Sequence, residues 1–133
     1  MSEIPDGFVR NQRSSPLTAP WEPVFCRELE EAVQLGLRVA EAHCNSRGFA
    51  HGGLIATLAD NAMGLSLSHV ARVPAAVTVH LSLDYMRAVQ RGLWLQIEPR
   101  VVRVGKNLGV VDALVTADGA VVARADATFW IAA

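Results

Sequence analysis

A single stretch of this 133-residue chain has the pattern of a long helix, and every other regular segment reads as strand. In residues 53 to about 70, "GLIATLADNAMGLSLSHV", Leu54, Leu58, Ala62 and Leu65 recur at spacings of three and four. Ile55 and Ala59 widen that apolar stripe. Elsewhere the period is two. Val33, Leu35, Leu37 and Val39 alternate between Glu31 and Glu41. After "RVPAA", Val77, Val79, Leu81, Leu83 and Tyr85 alternate with Thr78, His80, Ser82 and Asp84, the pattern of a clean two-faced strand. Further strands are expected from about Gly92 to Val104 and from Leu108 to Ala117. "ADGA" at 117 to 120 is an Asp-Gly hairpin signal leading into a last strand from about Val121 to Ile131. An antiparallel sheet with one buried face needs a covering layer, and here one apolar helix is available. The expected architecture is α+β, a sheet wrapped around one helix.

Composition and charge narrow the function classes. The chain is one domain long, and 51% hydrophobic against 19% charged residues is the balance of an ordered globular protein. A net charge of -1 gives no electrostatic case for nucleic acid or an anionic membrane as partner. The first twenty residues, "MSEIPDGFVRNQRSSPLTAP", hold no apolar run fit for a signal-peptide core, and no later stretch suits a membrane span. Cys26 and Cys44 are expected as reduced thiols, and a cytoplasmic protein is the expectation. Residues 1–24 are expected as a loosely held N-terminal arm with a short helical turn, and residues 25–133 as a single domain.

Within the helix, Asp60 does not fit. It is flanked by Leu58, Ala59, Ala62 and Met63, where a carboxylate has little reason to be. Eight residues earlier, Gly52 and Gly53 sit where the polar loop "HCNSRGFAHGG" becomes helix. Glycine lets a ligand approach the backbone, and the first N–H groups of a helix lack partners within it. Together with the helix dipole they suit a developing oxyanion, such as the carbonyl oxygen of an ester or thioester under attack. Asp60 would supply the base or nucleophile. Eight helical residues separate the two groups by roughly 12 Å, so one carbonyl cannot touch both within one chain. A second copy of the helix, antiparallel to the first, would bring Gly52 of one chain to Asp60 of the other, which implies a symmetric dimer with two shared sites. Ala56, Gly64 and Ser68 fall close to Asp60's side, small enough to admit another backbone.

The run "NSRGFAHGGLIATLAD" resembles the signature of the hotdog-fold acyl-CoA thioesterases of the phenylacetate-pathway type. "VTVHLSLDYMRAV" is similar to the strand that follows the helix in that family. The likeness spans roughly residues 30 to 131. It implies a hotdog fold: an antiparallel sheet of five to six strands around one long central helix, in a dimer with a continuous sheet that is expected to pair further into a homotetramer. It also implies that Asn45 and the Gly52 N–H polarise the thioester carbonyl, that His51 shapes the loop, and that Asp60 of the partner chain acts on water or attacks directly. Thr78 would hold the water or the Asp. Gly53, Arg103, Lys106 and Asn107 are expected to contact the coenzyme, with Arg103 and Lys106 pairing with its phosphates. His80 and Ser82 stand where relatives often carry Asp and Asn, which implies a groove shaped for a different acyl group.

Plainer roles compete for these residues: a solvated helix acid for Asp60, a turn residue for Asn45, a backbone-bonded loop histidine for His51, helix-start glycines for Gly52 and Gly53, and an ordinary strand position for Thr78. His43, Cys44 and His51 fit no common zinc spacing, and neither a phosphate-binding loop nor a G-x-S-x-G elbow is present. The expected activity is hydrolysis of an acyl-CoA thioester without metal or organic cofactor. The alternatives are a non-catalytic hotdog module that binds acyl-CoA as a sensor, and a hotdog hydratase or dehydratase.

Overall fold

The computed structural model describes residues 3–131. Seven strands and one long helix follow in the order β1 (Val9–Arg10), β2 (Phe25–Glu28), β3 (Val33–Arg38), α1 (Gly52–Ala71), β4 (Ala76–Tyr85), β5 (Trp94–Val104), β6 (Leu108–Ala117) and β7 (Ala120–Ile131). All seven strands form one antiparallel sheet in the order β1-β2-β3-β5-β6-β7-β4. The helix packs against β3 to β7. The count exceeds the expected five to six because β2 is only four residues long and β1 only two, too short for alternation to show.

The core lies between the helix and the concave face of the sheet. Leu58, Ala59, Ala62, Met63 and Leu67 of α1 are fully buried, and so are Leu35, Leu95, Ile97, Val111 and Val115 of the strands. Each large side chain sealed in this way stabilises the fold by roughly 1.5–3 kcal/mol. The fit is tight at Gly109 of β6, where an added Cβ would lie 2.5 Å from the Leu67 side chain. Gly64 of α1 makes room for the Phe129 ring of its own sheet. One polar residue, Ser66, is wholly buried on the helix. Its hydroxyl accepts from the Val33 N–H at 2.9 Å and donates to the Ala62 carbonyl at 2.7 Å, pinning α1 to the start of β3.

The β6–β7 hairpin turns through Asp118 (φ 45) and Gly119 (φ 86), the left-handed pair that an Asp-Gly turn requires. The Asp118 carboxylate accepts from the Trp94 N–H at 2.8 Å, tying this turn to β5.

Two expectations need correcting. Residues 3–24 are held, not loose. β1 pairs with β2, Phe8 is buried edge-on against Trp94 at 5.3 Å between ring centres, and the Trp21 carbonyl accepts from His43 Nε2 at 2.8 Å. An aromatic ring docked on an aromatic ring is worth more than its area alone and adds to the strand pairing and hydrogen bonds that hold this segment. The helical turn expected there is a 3-10 turn at Ala19–Trp21.

The second correction concerns β4. Its alternation is broken by a β-bulge between Thr78 and His80. Thr78 pairs with buried Phe129, and Leu81 with buried Ala127, so both lie on the helix side of the sheet together with Leu83 and Tyr85. A regular strand would have put Thr78 and Leu81 on opposite faces; the extra residue, Val79, reverses the phase.

Candidate active site

The loop before the helix is built by its own side chains. Asn45 Oδ1 accepts from the Arg47 N–H at 2.9 Å and from the Phe49 N–H at 3.2 Å, folding residues 45–49 into a turn. The loop is then laid against the strand that leads into β5, with the Ala50 N–H bonded to the Val89 carbonyl at 2.8 Å. The Asn45 oxygen is thus a turn-former, while its NH2 group has no partner among the described residues.

His51 is the N-cap of α1, its Nδ1 accepting from the Gly53 N–H at 2.8 Å. A neutral imidazole that accepts at Nδ1 carries its proton on Nε2. On the other side of the same peptide, the Tyr85 phenol donates to the Gly52 carbonyl at 2.6 Å. The Gly52–Gly53 peptide is therefore gripped at both its oxygen and its hydrogen. Burial pushes the Tyr85 phenol above its ordinary pKa, so it stays a donor throughout the neutral range. The Gly52 N–H, first of the helix's orphan donors, has no partner among the described residues. An added Cβ at Gly53 would meet the His51 ring at 3.0 Å, so glycine there lets the cap close.

Asp60 lies two turns further along α1, on a stretch that is otherwise core. Thr78 Oγ1 donates to Asp60 Oδ1 at 2.6 Å, a bond that depends on the bulge in β4. The structure therefore brings Asp60 and Thr78 together within one chain, and brings His51, Gly53, Gly52 and Tyr85 together at the helix start. Between these two groups stand about 12 Å of helix.

A cavity of about 350 Å³ opens beside Asp60 and Thr78. Asn61, Gly64, Leu65 and Phe129 form its helix and sheet sides. The opposite wall comes from the N-terminal arm, through Ser14, Ser15, Thr18 and Glu22. Ser14 Oγ donates to Glu22 Oε2 at 2.6 Å, and the Ser15 and Thr18 hydroxyls share a bond at 3.0 Å.

Of the expected coenzyme contacts, Gly53 is part of the helix start, while Arg103, Lys106 and Asn107 lie apart from the cavity within one chain. Arg103 is exposed and lines a separate recess with Leu29, Glu30, Glu31 and Val70, which excludes Asp60. Lys106 and Asn107 lie in the exposed turn between β5 and β6, where the Asn107 carbonyl accepts from the Ile131 N–H at 2.8 Å. His43 is buried with both ring nitrogens in use, Nδ1 accepting from the Ala40 N–H at 2.9 Å and Nε2 facing Trp21.

Sequence reasoning missed Tyr85, Asn61 and the arm. Tyr85 was findable: it ends the Leu81, Leu83, Tyr85 face that packs toward the helix, and a hydroxyl at the end of an apolar face needs a partner. Nothing local marks Ser14, Thr18 or Glu22, whose place depends on how the arm docks.

Comparison with known proteins identifies the family and the fold. Residues 47–124 match the thioesterase superfamily. A Pseudomonas aeruginosa protein provisionally described as an esterase is 37% identical over 133 residues, which cover 98% of this chain and 99% of that one. Human acyl-coenzyme A thioesterase 13 is 34% identical over 90 residues, and the chain spans 64% of its length. A Streptococcus mutans structure solved bound to acetyl CoA superimposes with a TM-score of 0.75 at 33% identity, covering 80% of this chain and 86% of that one. With the family matched over more than half of the sequence and a relative alike along nearly all of it, this helix-in-sheet protein is a hotdog fold and belongs to the thioesterase superfamily.

Proposed function

We propose that the protein hydrolyses an acyl-CoA thioester to a carboxylate and free coenzyme A, at a site shared by two subunits. The observation that carries this reading is Asp60, an acid on an apolar helix, fixed by Thr78 and open to a cavity of acyl size. A relative solved with acetyl CoA and another named an acyl-coenzyme A thioesterase support the substrate class.

The acyl group lies in the cavity, and its carbonyl faces the helix start of the partner subunit. Asp60 takes a proton from water, and the resulting hydroxide attacks the carbonyl carbon. The oxygen becomes an oxyanion, held by the unpaired Gly52 N–H and the free Asn45 NH2 group of the other chain. The C–S bond then breaks, the thiolate leaves with a proton, and the carboxylic acid ionises. In the variant pathway Asp60 attacks the carbonyl itself, and water then opens the anhydride.

The shared site follows from the 12 Å span together with the edge of the sheet. β4 is an edge strand with Val77 and Val79 about 60% exposed. Pairing with β4 of a second copy would cover that edge and run the two helices antiparallel.

The test is a panel of acyl-CoA substrates followed by thiol release; inertness toward all of them overturns the activity. Subunit sharing has its own test. Asp60→Asn and Asn45→Ala subunits, each inactive alone, are mixed and allowed to exchange. Shared sites return about a quarter of wild-type activity, since half of the dimers formed are mixed and each holds one intact site. No recovery in exchanged dimers overturns sharing.

A further inference from the structure

We propose that the N-terminal arm sets the acyl specificity of this site, admitting uncharged acyl groups of moderate length and rejecting those that end in a second carboxylate. The inference rests on the thioesterase reading above.

Size comes first. The cavity beside Asp60 holds about 350 Å³. That is at the small end of the ~300–1,000 Å³ typical of ligand pockets, and it suits an acyl group rather than the whole coenzyme. Its flanks are apolar, with Leu58, Leu65 and Phe129 lining them, and suit a hydrocarbon.

Charge comes second. The arm closes the far side, and its Glu22 faces the same space as Asp60. Arg13 is the one cation among the lining residues, and its guanidinium is committed to Glu28 at 3.0 Å. Ser14 holds Glu22 Oε2 at 2.6 Å, so the carboxylate is kept on the wall. A terminal carboxylate reaching this wall would meet a like charge, and the one lining cation among the described residues, Arg13, is already paired. A methyl end meets no such repulsion.

The wall is also stiff. Its bond from His43 to the Trp21 carbonyl and the Phe8–Trp94 contact fix the arm from two sides, and the Ser15–Thr18 pair braces the wall itself. The arm lies outside residues 47–124, so the element that selects the acyl group is separate from the segment that matches the family.

The experiment compares kcat/KM for octanoyl-CoA and its ω-carboxylate counterpart, suberyl-CoA, in the wild type, Glu22→Gln and Glu22→Lys. Melting temperatures confirm that each variant folds. The wild type should favour octanoyl-CoA by about five-fold, the scale of one like charge ~4 Å away at the dielectric of water, ~80, to which the exposed Glu22 is open. Glu22→Gln should shrink that ratio, and Glu22→Lys should shrink it further or reverse it. A Ser15→Trp variant, which fills the wall, should lose more rate on octanoyl-CoA than on butyryl-CoA. An octanoyl-to-suberyl ratio that does not move between Glu22→Lys and the wild type overturns the charge rule. An unchanged chain-length profile in Ser15→Trp overturns the arm as end wall. Both results leave hydrolysis standing, whereas a wild type inert toward every thioester overturns the thioesterase reading and this inference with it.

Discussion

The two halves of the site are made in different ways. The helix start, residues 45–53, is wired mostly by neighbours: Asn45 reaches two and four residues along the chain, and His51 reaches two. Asp60 is wired from afar, by Thr78 across 18 residues of sequence and by a wall contributed by residues 14–22. The first half offers one free backbone donor, the Gly52 N–H, in a turn shaped mostly by its neighbours and tied down by Val89 and Tyr85. The second is a charged group whose partners arrive only when the sheet and arm are assembled. Tyr85 is the bridge, since it reaches 33 residues back to the locally built end.

Substitutions can break that contrast. The largest loss belongs to Asp60→Asn, which keeps the shape and removes the base; kcat should fall by about 10²- to 10⁴-fold. Ligand binding, read by isothermal titration with an acyl-CoA, should barely change. Full turnover in this variant would reduce the Asp60 half to scaffolding and favour a pure binding module.

Tyr85→Phe comes next and removes only the hydroxyl that grips the Gly52 carbonyl. A loss of about ten-fold in kcat with KM within about two-fold is expected, the scale of one hydrogen bond. The Gly53 amide should exchange faster with solvent in the same variant. The pH dependence follows in sign. Burial raises the Tyr85 pKa in the folded state, so its contribution is complete below the unfolded value near 10 and fades as pH rises through the raised value. Wild-type activity should therefore show an alkaline decline above pH ~10 that Tyr85→Phe lacks.

Thr78→Val removes the donor to Asp60 while keeping the branched shape that the strand favours. A three- to ten-fold fall in kcat is expected, about 1 kcal/mol, with an unchanged melting temperature, because Thr78 is exposed. The smallest effect sharpens the contrast from the other side. His51→Ala deletes the N-cap and should cost about 1 kcal/mol of stability, read by denaturant midpoint. A loss of activity as large as that of Asp60→Asn would give the His51 Nε2–H a direct role at the carbonyl.

The elements most legible in the sequence were those set by local pattern. The helix at Gly52–Ala71, the strands β5 to β7 and the turn at Asp118–Gly119 follow from periodicity and turn chemistry over a few residues each. Asp60 stood out because an acid in an apolar stripe conflicts with its surroundings. β1 and β2 were not legible, since two and four residues carry no usable period. The bulge at Val79 left no trace in an alternation that reads as perfect. Arg103 and Lys106 were singled out by a family resemblance and by their charge, and neither says which recess a residue borders within one chain.

What the sequence by itself determined is the inventory: one apolar helix carrying one acid, a glycine pair at its start, and strands enough to enclose it. Those are properties of neighbouring residues, and neighbouring residues are what a linear pattern reports. Which groups meet was decided by the tertiary structure. The extra residue in β4 turns Thr78 toward the helix, the arm folds back to close the cavity, and the Tyr85 phenol finds the Gly52 carbonyl. Each of these contacts joins segments far apart in the chain, and only the shared burial of one core brings them within the few ångströms a hydrogen bond needs.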